Sequence, residues 1–72
     1  MNRKKKLVDA INQAYSNKKR LHIRFEPIKT SGYYEIHYAG WELNRFKEVV
    51  VGMYNSDLTS DTFKIVDFEV VE

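Results

Sequence analysis

The chain has 72 residues, 43% of them hydrophobic and none of them cysteine, so it has room for one domain with a small core and excludes disulfides and thiolate zinc sites. The net charge of +2 is unevenly spread: residues 1–24 carry eight basic residues and one acidic residue (+7), and residues 25–72 carry four basic and nine acidic residues (−5). This uneven charge predicts an oriented encounter with a charged partner. No run of apolar residues approaches the roughly 20 that a membrane-spanning helix needs, which excludes that class of segment from this sequence.

The first predicted element is an amphipathic helix from Lys4 to Asn17, capped by Asn2. Apolar residues recur in it at the 3.6-residue period of a helix, namely Leu7, Val8, Ile11, Ala14 and Tyr15. We expect a single domain over 1–72, with residues 1–5 as a frayed basic arm.

The period then changes to two, which is typical of half-buried strands. One strand runs through Leu21–Phe25 and ends at Pro27, and a second runs through Tyr34–Tyr38 and ends at Ala39-Gly40. The last segment, Thr62–Val71, is also a strand. Its apolar residues shift by one position, which predicts either a β-bulge or a strand covered on both sides.

The segment from Trp41 to Tyr54 is ambiguous. Phe46, Val49, Val50 and Met53 have helical spacing, whereas three consecutive valines favour a strand. The favoured interpretation is a bent strand from Phe46 to Tyr54, with a helix as the alternative. The predicted fold is therefore α+β, an N-terminal amphipathic helix packed on a curved four-stranded antiparallel sheet (α-β-β-β-β).

Ten aromatic rings exceed what one small core is expected to bury. The predicted core is Leu7, Ile11, Tyr15, Phe25, Tyr34, Ile36, Phe46 and Phe68. This leaves Tyr33, Trp41 and Tyr54 partly exposed near Arg45. We interpret these four residues as interface anchors or base-stacking platforms, or as side chains that close the open end of a small barrel.

No pattern typical of catalysis is present. The sequence has neither a G-x-S-x-G nucleophile turn nor a phosphate-binding glycine loop, so we expect no enzyme activity and no cofactor. His22 and His37 lie on the polar sides of neighbouring predicted strands. They form either a metal-binding or pH-sensitive pair or, in the favoured interpretation, two solvated strand residues with no bound metal.

The basic residues are the predicted nucleic-acid contacts. Lys18, Lys19 and Arg20 follow the end of the helix, where its dipole favours positive charge. Four adjacent cations at the start of the helix oppose that dipole, so something other than helix stability is expected to retain them. The predicted phosphate-binding set is Arg3, Lys4, Lys5, Lys6, Lys18, Lys19 and Arg20.

Two segments resemble known small-barrel families. Leu7-x-x-Ala10-Ile11, leading through a basic link into Leu21-x-Ile23-x-Phe25, looks like the opening of WYL-type domains. Ile36-x-Tyr38-x-Gly40, then Gly52, then Phe63-x-Ile65 resembles the strand pattern of the YolD-like family. The Trp-Tyr-Leu signature of the WYL family is missing, and no ligand residue is carried over. The resemblance implies an Sm-like or SH3-like barrel and an association with nucleic-acid-related or regulatory proteins.

These observations predict a cytoplasmic, non-enzymatic binding module that contacts nucleic acid or a nucleoprotein through its basic arm. The alternative is a protein–protein interaction module, such as a small phage or mobile-element inhibitor of a host protein. Its support is the surplus of aromatic residues and the acidic later part of the chain. Homodimerisation through a sheet edge is compatible with both hypotheses.

Overall fold

The computed structural model describes residues 2–72 and places two helices against one face of a three-stranded antiparallel sheet. The elements follow in the order α1 (Arg3–Ser16), β1 (Arg20–Pro27), β2 (Tyr34–Tyr38), α2 (Trp41–Met53) and β3 (Phe63–Val71). In the sheet the strand order is β2-β1-β3, so β1 is central and both other strands are edges. The predicted α+β class is confirmed.

Helix α1 has the N-terminal cap that the sequence predicts. The side-chain oxygen of Asn2 accepts a hydrogen bond from the backbone N–H of Lys5 at 3.2 Å, and the helix begins at Arg3. Residues 3–5, which belong to the predicted basic arm, form the first turn of α1, and Met1 lies outside the described residues. Leu7 and Ile11 are fully buried on the face that packs against the sheet.

The end of α1 is a Schellman motif. The N–H of Lys19 donates to the carbonyl of Ala14 at 2.9 Å, and the N–H of Lys18 donates to the carbonyl of Tyr15 at 3.3 Å. The motif requires a left-handed residue after the cap, and Lys18 supplies it with φ of 57°. The left-handed conformation thus falls on Lys18, one residue after the C-cap residue Asn17.

The sheet is built around β1, whose Leu21, Ile23 and Phe25 are buried towards the helices. The bulge predicted in the last strand is confirmed. Arg24 pairs with Asp67 whereas Phe25 pairs with Ile65, so one residue of β3, Val66, has no partner on β1. Because of this extra residue, Ile65 before the bulge and Phe68 after it both lie on the side of β3 that faces the core, although their spacing in the sequence is three residues.

The favoured strand from Phe46 to Tyr54 is wrong, because residues 41–53 form the helix α2. Leu43, Phe46 and Val50 lie at helical spacing and are buried against the rest of the core. This packing outweighs the weak strand preference of the three valines. The sheet consequently has three strands within residues 2–72, and the expected fourth strand and barrel are replaced by an open sheet with a helix over it.

Five residues of the predicted core lie in the core of the structure. Leu7, Ile11, Phe25 and Phe46 are buried, and Phe68 is partly buried against them. Four other assignments are wrong: Tyr54 is buried, with 8% of its surface exposed, whereas the exposed side chains are Tyr15 (49%), Tyr34 (57%) and Ile36 (39%). Residues 41–53 form a helix instead of the expected strand, so the apolar side of β2, with Tyr34 and Ile36, is not buried as predicted.

Candidate functional site: an aromatic groove between β2 and α2

An apolar groove of about 490 Å³ lies between α2 and the helix-facing side of β2. It exists because α2 packs mainly against α1 and contacts β2 at only a few positions, so Tyr34 and Ile36 of the edge strand stay exposed. Its lining is mostly aromatic and aliphatic, with one acidic and one basic residue: Phe25, Tyr34, Ile36, Tyr38, Trp41, Glu42, Arg45, Phe46, Val49, Tyr54 and Phe63. This is the volume and composition of a typical ligand or peptide site.

The floor of the groove is a connected series of aromatic rings. Tyr34 meets Phe63 edge-on with ring centroids 6.0 Å apart, and Phe63 meets Phe25 at 6.2 Å. Phe25 in turn meets Phe46 at 6.3 Å, and Phe46 stacks on Tyr38 at 4.5 Å. Each pair has a geometry that aromatic rings prefer, so the floor of the groove is preorganised for binding.

One wall of the groove is a face of α2. Trp41, Arg45 and Val49 follow one another at intervals of four residues, which aligns them along the helix. Trp41 is 70% exposed at the start of the helix, directly after Gly40. Gly40 has φ of 58°, a left-handed conformation that residues with a side chain rarely adopt. At this glycine the chain turns sharply from β2 into α2. This turn holds the indole beside the groove.

Two of the phenols that line the groove, Tyr38 and Tyr54, are neutral at physiological pH. Burial raises the pKa of Tyr54 from its usual value of about 10, and the neighbouring Ser60 hydroxyl opposes part of that effect. Burial also raises the pKa of Tyr38, with smaller effects from Tyr54 and Glu42 in the same direction. Tyr38 and Tyr54 therefore carry no phenolate charge, which suits an apolar occupant.

The first two cations of the predicted arm are used inside the molecule. The guanidinium of Arg3 donates to the carbonyl of Val66 at 3.1 Å, at the β3 bulge. The ammonium of Lys4 donates to the carbonyls of Val51 and Tyr54, at 3.0 and 2.7 Å, where α2 ends. Both side chains thus satisfy backbone carbonyls that the bulge and the helix end leave unpaired.

The other basic residues divide between the two ends of α1, which are about 20 Å apart at 1.5 Å per residue. At the far end Lys19 and Arg20 both contact Glu72. The ammonium of Lys19 lies 3.5 Å from the carboxylate of Glu72, and the guanidinium of Arg20 donates to the backbone carbonyl of Glu72. Among residues 2–72, the basic side chains of the predicted set that make no hydrogen bond or ion pair are Lys5, Lys6 and Lys18.

The side of the sheet away from the helices carries polar groups. His22 and His37 face each other as predicted, with stacked rings 4.6 Å apart, and His22 lies 3.6 Å from the carboxylate of Glu35. This carboxylate was not predicted from the sequence, because only the register of the two strands brings it diagonally beside His22. Within the described part of the chain, no three potential metal-ligating side chains converge.

The four aromatic and basic residues predicted as an interface are only partly brought together. Trp41 and Arg45 line the groove, Tyr54 forms part of its floor, and Tyr33 lies on the opposite side of the sheet. There the guanidinium carbon of Arg24 lies 4.0 Å from the centre of the Tyr33 ring, a cation–π contact. The exposed groove residues that the sequence analysis missed are Tyr34, Ile36 and Val49, two of which it assigned to the core.

No protein-family model matches the chain, and the comparisons with curated proteins and with solved structures also found no match. The geometry of the groove and the distribution of charge are therefore the grounds for assigning a function. Neither helix of residues 2–72 is long and apolar enough to cross a bilayer.

Proposed function

We propose that the chain is a non-catalytic protein-interaction module that binds an apolar segment of a partner protein in the groove between β2 and α2. The observation that carries this proposal is the exposed aromatic groove itself. A small domain has few apolar residues to spare, yet this one leaves Tyr34, Ile36 and Trp41 outside its core along one continuous depression. Trp, Tyr and Arg are the side chains that most often dominate binding energy at protein interfaces, and Tyr34, Trp41 and Arg45 supply all three.

The charges around the groove indicate the chemistry of the partner. Glu42 lies in the groove and Glu48 lies beside it on α2, against the single positive charge of Arg45. The chain from residue 25 onward has a net charge of −5. We therefore expect a partner segment with two or more apolar side chains flanked by basic residues, since opposite charges at the rim of an interface speed and orient the encounter.

The experiment is selection of random peptides displayed on phage against the purified protein, followed by calorimetry with the selected peptides. The expected consensus has apolar anchors next to Lys or Arg. Replacing Tyr34 with Ser should weaken binding at least tenfold, because this side chain is one of the exposed anchors of the groove. Replacing the neighbouring Tyr33 with Ser is the matched control, since the two tyrosines have similar exposure, 55% and 57%, on opposite sides of the sheet.

Equal loss of affinity in both variants would show that the groove is not the binding site. A selected consensus without apolar residues would contradict the proposed chemistry of the partner.

A second candidate function, nucleic-acid binding, is supported by the charge of +7 over residues 1–24. It is also supported by Lys5, Lys6 and Lys18, the members of the predicted phosphate-binding set that make no side-chain hydrogen bond or ion pair within residues 2–72. Lys5 and Lys6 lie at the start of α1 and Lys18 lies just beyond its end, so this separation lowers the number of phosphates that one compact site can contact. Anisotropy of labelled single-stranded DNA, duplex DNA and RNA tests this candidate. Three phosphate contacts give a log–log salt slope of about −2 to −3, and absence of binding at low salt would eliminate it. Both candidates are compatible with the cytoplasmic location expected for a chain without cysteine.

A further inference from the structure

The two edges of the sheet differ in how well they are protected against pairing with another strand. The β3 edge carries the bulge at Val66, whose carbonyl is occupied by Arg3, and it also carries Lys64. Bulges, lysines and covering side chains are the usual devices that prevent a sheet edge from pairing. The β2 edge, Tyr34–Tyr38, contains no bulge, lysine or proline. It is the edge that is open to pairing.

The sequence of β2 is complementary to itself when read in the antiparallel direction. In Tyr34-Glu35-Ile36-His37-Tyr38 the central residue is Ile36, the two ends are tyrosines, and the two intermediate positions have opposite polarity. We propose that β2 pairs with β2 of a second copy of this chain about a two-fold axis at Ile36. Isoleucine then lies opposite isoleucine, tyrosine lies opposite tyrosine, and Glu35 of each copy lies opposite His37 of the other.

Each of these cross-strand pairs is favourable. Aromatic and β-branched pairs stabilise antiparallel strands, and an imidazole N–H of His37 can donate a hydrogen bond to the carboxylate of Glu35, whereas like charges directly opposite destabilise the strands. A two-fold axis requires the same surface on both subunits to complement itself, and the Glu35–His37 pairing meets that requirement twice in one interface. A shift of the register by two residues would lose both Glu35–His37 pairs, so the sequence specifies one alignment.

The pairing changes the form of the groove. Residues that are directly opposite in antiparallel strands project to the same side, so both pairs of helices lie on one face of a continuous six-stranded sheet. The two grooves then open towards each other across the axis, because each is bounded by the helix-facing side of its own β2. The result is one cleft with an α2 helix on each side. This inference goes beyond the proposed function and does not depend on it, since the edge backbone and the Glu35–His37 pairs form the contact with or without a partner segment.

The experiment is sedimentation equilibrium of the full chain from about 5 µM to about 1 mM, a range that covers weak specific dimers. The wild-type chain should be a dimer at the upper concentrations. Glu35→Lys places a lysine opposite His37 of the second copy, and His37→Glu places two glutamates opposite each other. Each variant alone should associate about tenfold more weakly, because the unfavourable contact occurs twice.

An equimolar mixture of the two variants provides the decisive measurement. In the mixed dimer the introduced lysine faces the introduced glutamate, and the unchanged His37 faces the unchanged Glu35, so association should return to the wild-type strength. Glu69→Lys is the control, because Glu69 pairs with His22 at the β3 side of the sheet and should leave association unchanged. Circular dichroism of each variant confirms that the exposed substitutions leave the fold intact.

A wild-type chain that stays monomeric at about 1 mM overturns the proposal. Failure of the mixture to recover association, or equal weakening by Glu69→Lys, overturns the register about Ile36. Peptide binding to the groove is measured separately, so failure of dimerisation is distinguishable from failure of the proposed function.

Discussion

The ammonium of Lys4, in the first turn of α1, lies 2.7 Å from the carbonyl oxygen of Tyr54, the C-cap residue of α2. A second bond at 3.0 Å reaches the carbonyl of Val51. The position is unfavourable for the dipole of α1 but favourable for that of α2, whose last carbonyls carry partial negative charge. The cation that the sequence left without a structural explanation is therefore a cap for a different helix.

Replacing Lys4 with Met should lower the free energy of unfolding by about 1–2 kcal/mol, the usual cost of losing a hydrogen bond from a charged group. Urea denaturation measures it. Lys5→Met is the matched control, since Lys5 is exposed one residue further on, and it should change stability by less than about 0.5 kcal/mol. Similar effects of the two substitutions would show that net charge, and not the contact with α2, is responsible.

Lys18 is a position where glycine is expected to stabilise the fold. Its φ of 57° strains any residue with a Cβ atom, and glycine is the residue that most helices use there. Lys18→Gly should raise the free energy of unfolding by about 1 kcal/mol relative to Lys18→Ala. The comparison between the two variants holds charge constant, so equal stabilities would mean that the left-handed conformation carries no strain.

The buried phenol of Tyr54 predicts a loss of stability in alkali. Because its folded-state pKa is raised, the stability that it contributes is complete below about pH 10 and is lost as the pH rises through the folded-state pKa. Tyr54→Phe removes the ionisable group, so the free energy of unfolding of this variant should fall less than that of the wild type between about pH 10 and about pH 12.

The exposed Tyr15 provides the comparison for this pH series. Tyr15→Phe should follow the wild-type curve. If Tyr54→Phe follows it as well, ionisation of Tyr54 does not limit alkaline stability.

Much of the fold follows from the period of the apolar residues. The stripe that contains Leu7 and Ile11 predicted α1, and the alternation through Ile23 and Ile36 predicted β1 and β2. The one-residue shift near Val66 predicted the bulge. In each case a single local pattern determines which side of the element is apolar, and in the structure that side faces the core, although on β2 it stays largely exposed.

The helix α2 did not follow from the sequence, because its local preferences conflict. Val49, Val50 and Val51 favour a strand, and only the contacts of Phe46 and Val50 with the rest of the core decide for a helix. The groove was missed for the same reason. Tyr34 and Ile36 have the alternation of buried residues, and only the position of α2 shows that nothing covers them.

Trp41 is the single tryptophan of the chain, and it lies with most of its surface in solvent at the groove. Its fluorescence therefore reports on this one location without any added label. An occupant that displaces water from the indole will move the emission maximum to shorter wavelength and protect it from quenching by iodide. The molecule thus contains its own indicator of whether the groove is filled, and a library of untagged segments can be screened with it in solution.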